Sequence, residues 1–463
     1  MVFSSSVFLF GFLPVALIFY YLVFKNSRTC QNVFLFIISI FFYAWGEPVF
    51  VLVMLLSILV NWFCALIMAK HGADLKRKKA WLIVGIVFDI LVLFVFKYLN
   101  FFAENIGYLF SADLKLRKIA LPIGISFFTF QAMSYIIDVY RGKKDFQKNP
   151  LYVGLYIALF PQLIAGPIVR YETVADQIQN REETWELFSN GTERFIVGLG
   201  KKAILANSLA VIADAAFSPN VPVFSMAWLG ALAYTLQIFF DFSAYSDMAI
   251  GLGKMFGFKF EENFNRPYLS KSISDFWRRW HISMGTWFRD YVYFPLGGSR
   301  EGKGRTIFNL FVVWLLTGLW HGANWTFIVW GLFYFVFISI EKLTKAESKI
   351  KFAPLGHIYT LFLVIIGWVL FRSDSIKYAL SYIKSMFGFS GDFGLAKLYI
   401  KENAVILASS VIACLPIADF VKRFKKREAF YLTAKFICLL LILVISVSYI
   451  VKGTYNPFIY FNF

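Results

Sequence analysis

The sequence predicts an all-α, polytopic membrane protein, and three observations predict it. Of its 463 residues, 59% are apolar and 20% aromatic, more oil than a water-exposed surface could solvate. The apolar residues gather into about a dozen runs near the roughly 20 residues that carry a helix across a bilayer. Between the runs sit clusters of Lys and Arg, the mark of cytoplasmic loops.

Taken in order, the runs fall at 7–24, 32–45, 48–68, 81–102, 119–139, 151–168, 226–242, 307–320, 326–340, 357–370, 404–417 and 434–451. Several are short and are expected to be tilted, broken or re-entrant. The first lacks a basic leader and a small-residue cleavage site, so it reads as a retained helix. The stretch 171–193 is polar and reads as a surface helix. The stretch 261–305 mixes Trp, Arg and Pro and is too interrupted to span, which suits the headgroup interface. The region 342–463 returns to simple helices with basic loops at 342–351 and 422–427. No internal repeat, low-complexity stretch or separable soluble domain interrupts this single membrane body of residues 1–463.

The net charge of +18 would suggest nucleic acid in a soluble chain. Here the cations lie between apolar runs, at Lys70 and Lys76 to Lys79, Arg141 to Lys148, and Lys422 to Arg427. They report topology and anionic lipid, and nucleic acid is not expected as a partner. Loops 70–79, 141–149 and 422–427 are placed in the cytoplasm and both termini outside. Cys30, Cys64, Cys414 and Cys438 stand singly, with no metal-ligand spacing. They read as packing residues, and no metal is expected.

Four histidines occur in the chain, and two stand out. His321 ends the apolar run 307–320. An ionisable residue at membrane depth is costly and should face the protein interior or a wet cavity. One reading is a packing histidine bonded to a carbonyl. The other is a general base that takes a proton from an acceptor hydroxyl as it attacks an acyl thioester. Burial favours the neutral imidazole that a base needs, and Gly318 and Gly322 leave room for close approach. His281 follows Trp277-Arg278-Arg279-Trp280 and reads either as an interfacial anchor or as a second site histidine. Arg278 and Arg279 suit phosphate, carboxylate or lipid headgroups.

Other groups carry weaker signals. Asp241 and Asp247 are six apart, not one helix face, so one of them pairing with an arginine of 266–300 is the structural expectation. Asp89 and Lys97 should meet partners on other helices. Residues 295–300 are glycine-rich but lack the spacing of a phosphate loop. No Gly-x-Ser-x-Gly nucleophile motif occurs.

Together the motifs resemble the membrane-bound O-acyltransferase family. The matching segments are Phe42-Tyr43-Ala44-Trp45-Gly46, Phe96-Lys97-Tyr98, Leu121-Pro122-Ile123-Gly124-Ile125-Ser126-Phe127-Phe128-Thr129-Phe130-Gln131, Phe160-Pro161-Gln162-Leu163-Ile164-Ala165-Gly166-Pro167-Ile168, Asp241-Phe242-Ser243-Ala244-Tyr245-Ser246-Asp247, Asn263-Phe264-Asn265-Arg266-Pro267-Tyr268, Ser274-Asp275-Phe276-Trp277-Arg278-Arg279-Trp280-His281 and Trp320-His321-Gly322. The resemblance is greatest to the bacterial branch that O-acetylates polysaccharides such as alginate, which Tyr293 to Arg300 also matches.

The resemblance implies a ring of tilted transmembrane helices, with re-entrant and interfacial helices around a central funnel. It implies a catalytic core at about 120–341 followed by helices at 342–463. It makes His321 the catalytic histidine and His281 the second. Asp275, Trp277, Arg278, Arg279, Trp280, Asn265, Trp320 and Asp241 are candidates for binding donor or substrate. No bound cofactor is implied; the donor would be acetyl-CoA or another acyl thioester from the cytoplasm. The acceptor would be a cell-surface polysaccharide, reached through a secreted or membrane-anchored acetyltransferase partner. The location implied is the bacterial inner membrane.

Two other functions compete. D-alanyl transfer to teichoic acid occurs in a sister branch that shares the Trp-His segments. A proton-coupled transporter could use the histidines as a relay, but transporters usually carry internal repeats, and none is visible.

Overall fold

The computed structural model describes residues 1–463 except 73, 112–118, 219, 350–351, 390, 418–427, 454 and 460–463. The all-α expectation holds: every regular element among the described residues is a helix. Six helices are long and apolar enough to cross a membrane: Val51–Lys70, Leu75–Phe110, Trp185–Ala216, Trp325–Thr344, Ala353–Arg372 and Glu428–Lys452. Phe8–Val23, Arg28–Ala44 and Ala404–Ala413 are shorter apolar helices. The chain is a multi-pass membrane protein. The basic cluster expected at 422–427 lies outside the described residues.

Two apolar runs break where their prolines and glycines fall. In 119–139 the helix begins only at Ile125, because Pro122 to Gly124 form a turn with Gly124 at φ +73°. In 151–168 the helix Pro150–Ala158 stops at Leu159, whose ψ of 115° is not helical. A short helix, Phe160–Leu163, follows. Pro161 cannot donate to a continuing ladder, and the chain restarts around it. These turns meet: a Cβ on Gly124 would lie 3.0 Å from the Leu163 carbonyl oxygen.

The polar stretch 171–193 departs from expectation. Tyr171–Asn180 is a helix with Tyr171, Val174 and Ile178 buried, as a surface helix requires. A membrane-length helix, Trp185–Ala216, starts inside the same stretch. Its first turns carry the charges Glu186, Glu193 and Arg194, and these masked the apolar residues from Ile196 onward.

The fold resolves into two compact units, Met1–Phe195 with Ser246–Glu261, and Ile196–Tyr245 with Glu262–Phe463. In the first, Val51–Lys70 packs on Leu75–Leu93 and on Ile125–Tyr140. Asp89 is fully buried and accepts from Ser57 at 3.2 Å and Asn61 at 3.0 Å. Lys97 donates to Ser126 at 3.1 Å, so both charged residues find partners on other helices, as expected. The Arg181 guanidinium is enclosed as well. It donates to the Tyr20 hydroxyl at 3.0 Å, the Asn32 side chain at 2.6 Å and the Phe256 carbonyl at 3.1 Å.

The second unit is built on a helix pair, Gly302–His321 and Trp325–Thr344. Asn324 caps the second helix by accepting from the Thr326 amide at 3.0 Å, a cap typically worth about 1 kcal/mol. The pair packs backbone to backbone. A Cβ on Gly331 would lie 2.4 Å from the Trp314 carbonyl oxygen, and one on Gly318 would lie 2.5 Å from that of Phe327. Ala353–Arg372 packs against Trp325–Thr344. Distant sequence returns to this unit at Asp241, which pairs with Lys202 at 2.6 Å and accepts the Ile459 amide at 2.8 Å. Lys202 also donates to the Pro457 carbonyl, and Phe458 stacks on Tyr245 at 5.0 Å between ring centroids.

Candidate active site

The stretch Ser272 to Phe288 folds as two short helices, Ile273–Arg279 and Ile282–Phe288, with Trp280 and His281 between them. Ser272 caps the first by accepting from the Asp275 amide at 2.9 Å. The buried carboxylate of Glu341, from the helix Trp325–Thr344, accepts from the Ile273 amide at 2.7 Å, the Ser274 amide at 2.8 Å and the Ser274 hydroxyl at 2.6 Å. Anionic capping of an N-terminus is favourable by charge and hydrogen bonding together.

His281 sits at φ +47° and ψ 53°, the left-handed region. The segment Asn263 to Asn265 runs alongside: the Asn265 amide donates to the Arg279 carbonyl and the Ile282 amide to the Asn263 carbonyl, both at 2.9 Å. This pairing brings the Asn263 side chain to the ring, with Oδ1 3.1 Å from His281 Nδ1. The same Oδ1 accepts from the Ser283 amide at 3.2 Å and its hydroxyl at 2.9 Å. A backbone N–H can only donate, so this atom is the carbonyl oxygen, and Nδ1 must carry the hydrogen. In a neutral ring the lone pair then belongs to Nε2. Burial does keep the ring neutral, pushing its pKa down from the usual 6.5 to about 3.

Trp320 joins the two histidines. Its ring lies 5.8 Å from His281 and 4.8 Å from His321, centroid to centroid. His321 is the last residue of Gly302–His321 and is 5% exposed; His281 is 0% exposed. His321 also meets Trp330 edge-on at 4.9 Å and Phe371 at 5.1 Å. Phe242 closes against His281 at 4.6 Å. Gly322 allows this crowding, because a Cβ there would lie 2.3 Å from the Phe327 ring.

The other expected residues divide. Trp277 and Trp280 belong to the same aromatic lattice. Trp277 touches Trp314 and Tyr334 at 4.9 Å and Trp330 at 5.5 Å, while Trp280 touches Trp368 at 4.8 Å. Asp275 binds Arg279 at 2.9 Å and lies 3.7 Å from Arg278. Arg278 also pairs with Glu347. Asn265 is exposed and enters through its backbone amide; the buried asparagine of the motif is Asn263, which sequence reading did not single out. Asp241 does not pair with an arginine of 266–300 but with Lys202; Arg278, Arg279 and Arg289 meet Glu347, Asp275 and Asp290 instead. Asp247 binds Arg194 at 2.9 Å. Within that motif Phe242 touches His281, at 4.6 Å between ring centroids.

A cleft of about 320 Å³ opens beside the lattice. Its lining is mostly apolar and includes Trp277, Trp314, Met284 and Thr317, with Arg278 and Arg289 among its cations. Both arginine side chains are more than half exposed. Among the described residues no three His, Cys, Asp or Glu side chains converge as a metal site.

Residues 36–381 match the sequence profile of the MBOAT, or membrane-bound O-acyltransferase, family. The chain belongs to that family and is an acyltransferase. It is 40% identical, over the full length of both chains, to a Pseudomonas putida protein described as a probable alginate O-acetylase. It is 32% identical to a Helicobacter pylori peptidoglycan O-acetyltransferase, over 84% of this chain and 80% of the relative. It is also 32% identical to a Bacillus subtilis teichoic acid D-alanyltransferase, over 52% of this chain and 64% of that one. Family membership sets the transporter reading aside.

Proposed function

We propose that this chain takes an acetyl group from a cytoplasmic thioester, acetyl-CoA or a related donor, and passes it through the membrane for O-acetylation of a cell-surface polysaccharide. The observation that carries this reading is the pair of buried histidines joined through Trp320 within an aromatic enclosure. His321 acts as the base. Its imidazole takes the proton of an acceptor hydroxyl as that oxygen attacks the thioester carbonyl. The carbon–sulfur bond breaks, and the departing thiolate receives the proton from the imidazolium, which restores the neutral ring. His281, locked with Nδ1–H toward Asn263, presents an acceptor nitrogen that orients the acyl donor or the base. The cleft beside Trp277 receives the donor, with its phosphates at Arg278 and Arg289. Those arginines already pair with Glu347 and Asp290, but exposed ion pairs are weak, about 0–1 kcal/mol, and a phosphate displaces them readily.

D-alanyl transfer is the second reading within the family. Acetyl transfer is favoured because the likeness to the acetylating relatives covers most or all of the chain, and that to the D-alanyl relative only about half. The location that follows is the bacterial cytoplasmic membrane. A secreted or membrane-anchored acetyltransferase completes the transfer to the polymer. Reconstitution in proteoliposomes with radiolabelled acetyl-CoA outside the vesicle tests this. Label should reach a polysaccharide acceptor, alginate or peptidoglycan glycan, in the lumen when the partner is present. Transfer of D-alanine from a carrier protein, with none from acetyl-CoA, would reverse the choice.

A further inference from the structure

The first unit holds a polar cleft that the catalytic reading does not use. Its volume is about 610 Å³, and its lining comes from the loop 142–148 and from the surface helix Tyr171–Asn180. Two ion pairs join these walls, Lys143 to Glu172 at 2.8 Å and Lys144 to Asp176 at 2.5 Å. The loop is also held from the membrane side. The Lys143 amide donates to the Asp138 carbonyl at 3.1 Å and the Gln147 amide to the Tyr135 hydroxyl at 3.3 Å. The Tyr135 ring in turn lies edge-on to Tyr171, 4.8 Å between centroids. The spacing of the two walls is therefore fixed by bonds on both sides of the cleft.

The cleft sits at the membrane boundary. Trp62, on the spanning helix Val51–Lys70, donates its indole N–H to the Gln147 and Lys148 carbonyls, at 3.1 and 3.2 Å. Leu59 and Phe63, on the same helix, are half exposed and face lipid tails. Indoles gather where apolar chains meet headgroups, so this bond moors the loop at headgroup level, and the loop's lysines mark the cytoplasmic leaflet. Charge then decides what fits. Lys143 and Lys144 are matched by Glu172 and Asp176. That leaves Lys148 and Asp145, one cation and one anion of the cleft lining, both exposed and neither with an ion-pair partner among the described residues. The unmatched charges are opposite in sign, so the cleft complements a ligand that carries both.

We propose that this cleft binds the headgroup of a zwitterionic phospholipid, phosphatidylethanolamine, with its phosphate at Lys148, its ammonium at Asp145 and its acyl chains along Leu59 and Phe63. Phosphate accepts a charge-assisted hydrogen bond from a lysine, and a primary ammonium has three hydrogens to give a carboxylate. The methylated nitrogen of choline has none to give. A purely anionic headgroup satisfies Lys148 but leaves Asp145 facing a like charge. The bound lipid touches both walls and so fastens the surface helix Tyr171–Asn180 to the bilayer. The site goes beyond the acyl-transfer reading and does not depend on it.

The test is native mass spectrometry of the full chain, titrated in detergent with phosphatidylethanolamine, phosphatidylglycerol or phosphatidylcholine of one acyl composition. Phosphatidylethanolamine should bind up to about 5-fold more tightly than either of the others, the worth of one exposed ion pair. Asp145→Asn should erase that preference without weakening phosphatidylglycerol. Lys148→Gln should weaken phosphatidylethanolamine by about 5-fold, the worth of one basic residue at a headgroup surface. Lys76→Gln, in another basic loop, should not. Both cleft substitutions alter exposed side chains, so the variants should fold as the wild type does. Equal binding of the three lipids, or a preference for phosphatidylglycerol, overturns the proposal. So does a preference for phosphatidylethanolamine that survives Asp145→Asn. Water-soluble glycerophosphoethanolamine should not displace the lipid at equal concentration; if it does, the cleft belongs to a free phosphoester and the lipid is ruled out.

Discussion

At the scale of single residues, the proposed chemistry rests on two imidazoles, and neighbours set the tautomer of one of them, His281. His321→Ala should lower acyl transfer by about 10²–10⁴-fold while the protein still inserts and purifies normally. Near-wild-type polymer acetylation by a well-expressed His321→Ala chain would end the assignment. His281 makes a prediction about acid. In the folded protein it binds no proton until about pH 3, whereas an unfolded histidine binds one below about 6.5. Between those values the unfolded state holds the extra proton, so this group's contribution is present above about 6.5 and is lost as pH falls. Thermal midpoints at pH 7 and pH 5 should differ less for His281→Asn than for wild type; an equal difference would show that the ring is not buried neutral. Both histidines were legible in the sequence because an ionisable residue amid apolar and aromatic ones has few bland explanations. Asn263 was not, since nothing in Asn263-Phe264-Asn265 tells which amide faces inward until the segment pairs with Arg279 and Ile282.

Among the elements, the short helix Ile273–Arg279 is held by a carboxylate from another part of the chain. Removing it in Glu341→Leu leaves the buried Ile273 amide and the half-buried Ser274 amide and hydroxyl without their acceptor, which should cost about 2–3 kcal/mol. Glu341→Gln keeps one acceptor oxygen and should lose less. Chemical or thermal unfolding in detergent ranks the two, and equal stability of Glu341→Leu and wild type would remove Glu341 from this role. Topology is tested by cysteine labelling. Cysteines placed at Lys76 or Lys143 should resist an impermeant reagent on intact cells, because Lys and Arg mark cytoplasmic loops. Most helices could be read from apolar length alone. The helix Trp185–Ala216 could not, because its charged first turns hid a spanning segment, and neither could the exact breaks around Pro122 and Pro161, where local turn geometry decides.

For the molecule as a whole, the proposed relay implies dependence on a partner. Purified chain with acetyl-CoA and polymer should acetylate little until the secreted acetyltransferase is added; full acetylation by the chain alone would make it self-sufficient. Long-range pairings of this kind are the least legible feature of any sequence, and Lys202 with Asp241 is the case in point: neither residue announces the other. The same pair has a consequence in time. Asp241 awaits an amide that lies 218 residues further along the chain, and at 5–20 residues per second the ribosome needs about 10–40 s to supply it. During that interval a newly inserted chain carries a buried ion pair with an unfilled acceptor, so the second unit should mature only after synthesis has passed Ile459. In a pulse-chase experiment its loops should stay open to protease for that period and then close together. A chain lacking residues 455–463 should never reach the protected state, and protection gained before Ile459 is made would show that the pair is completed in some other way.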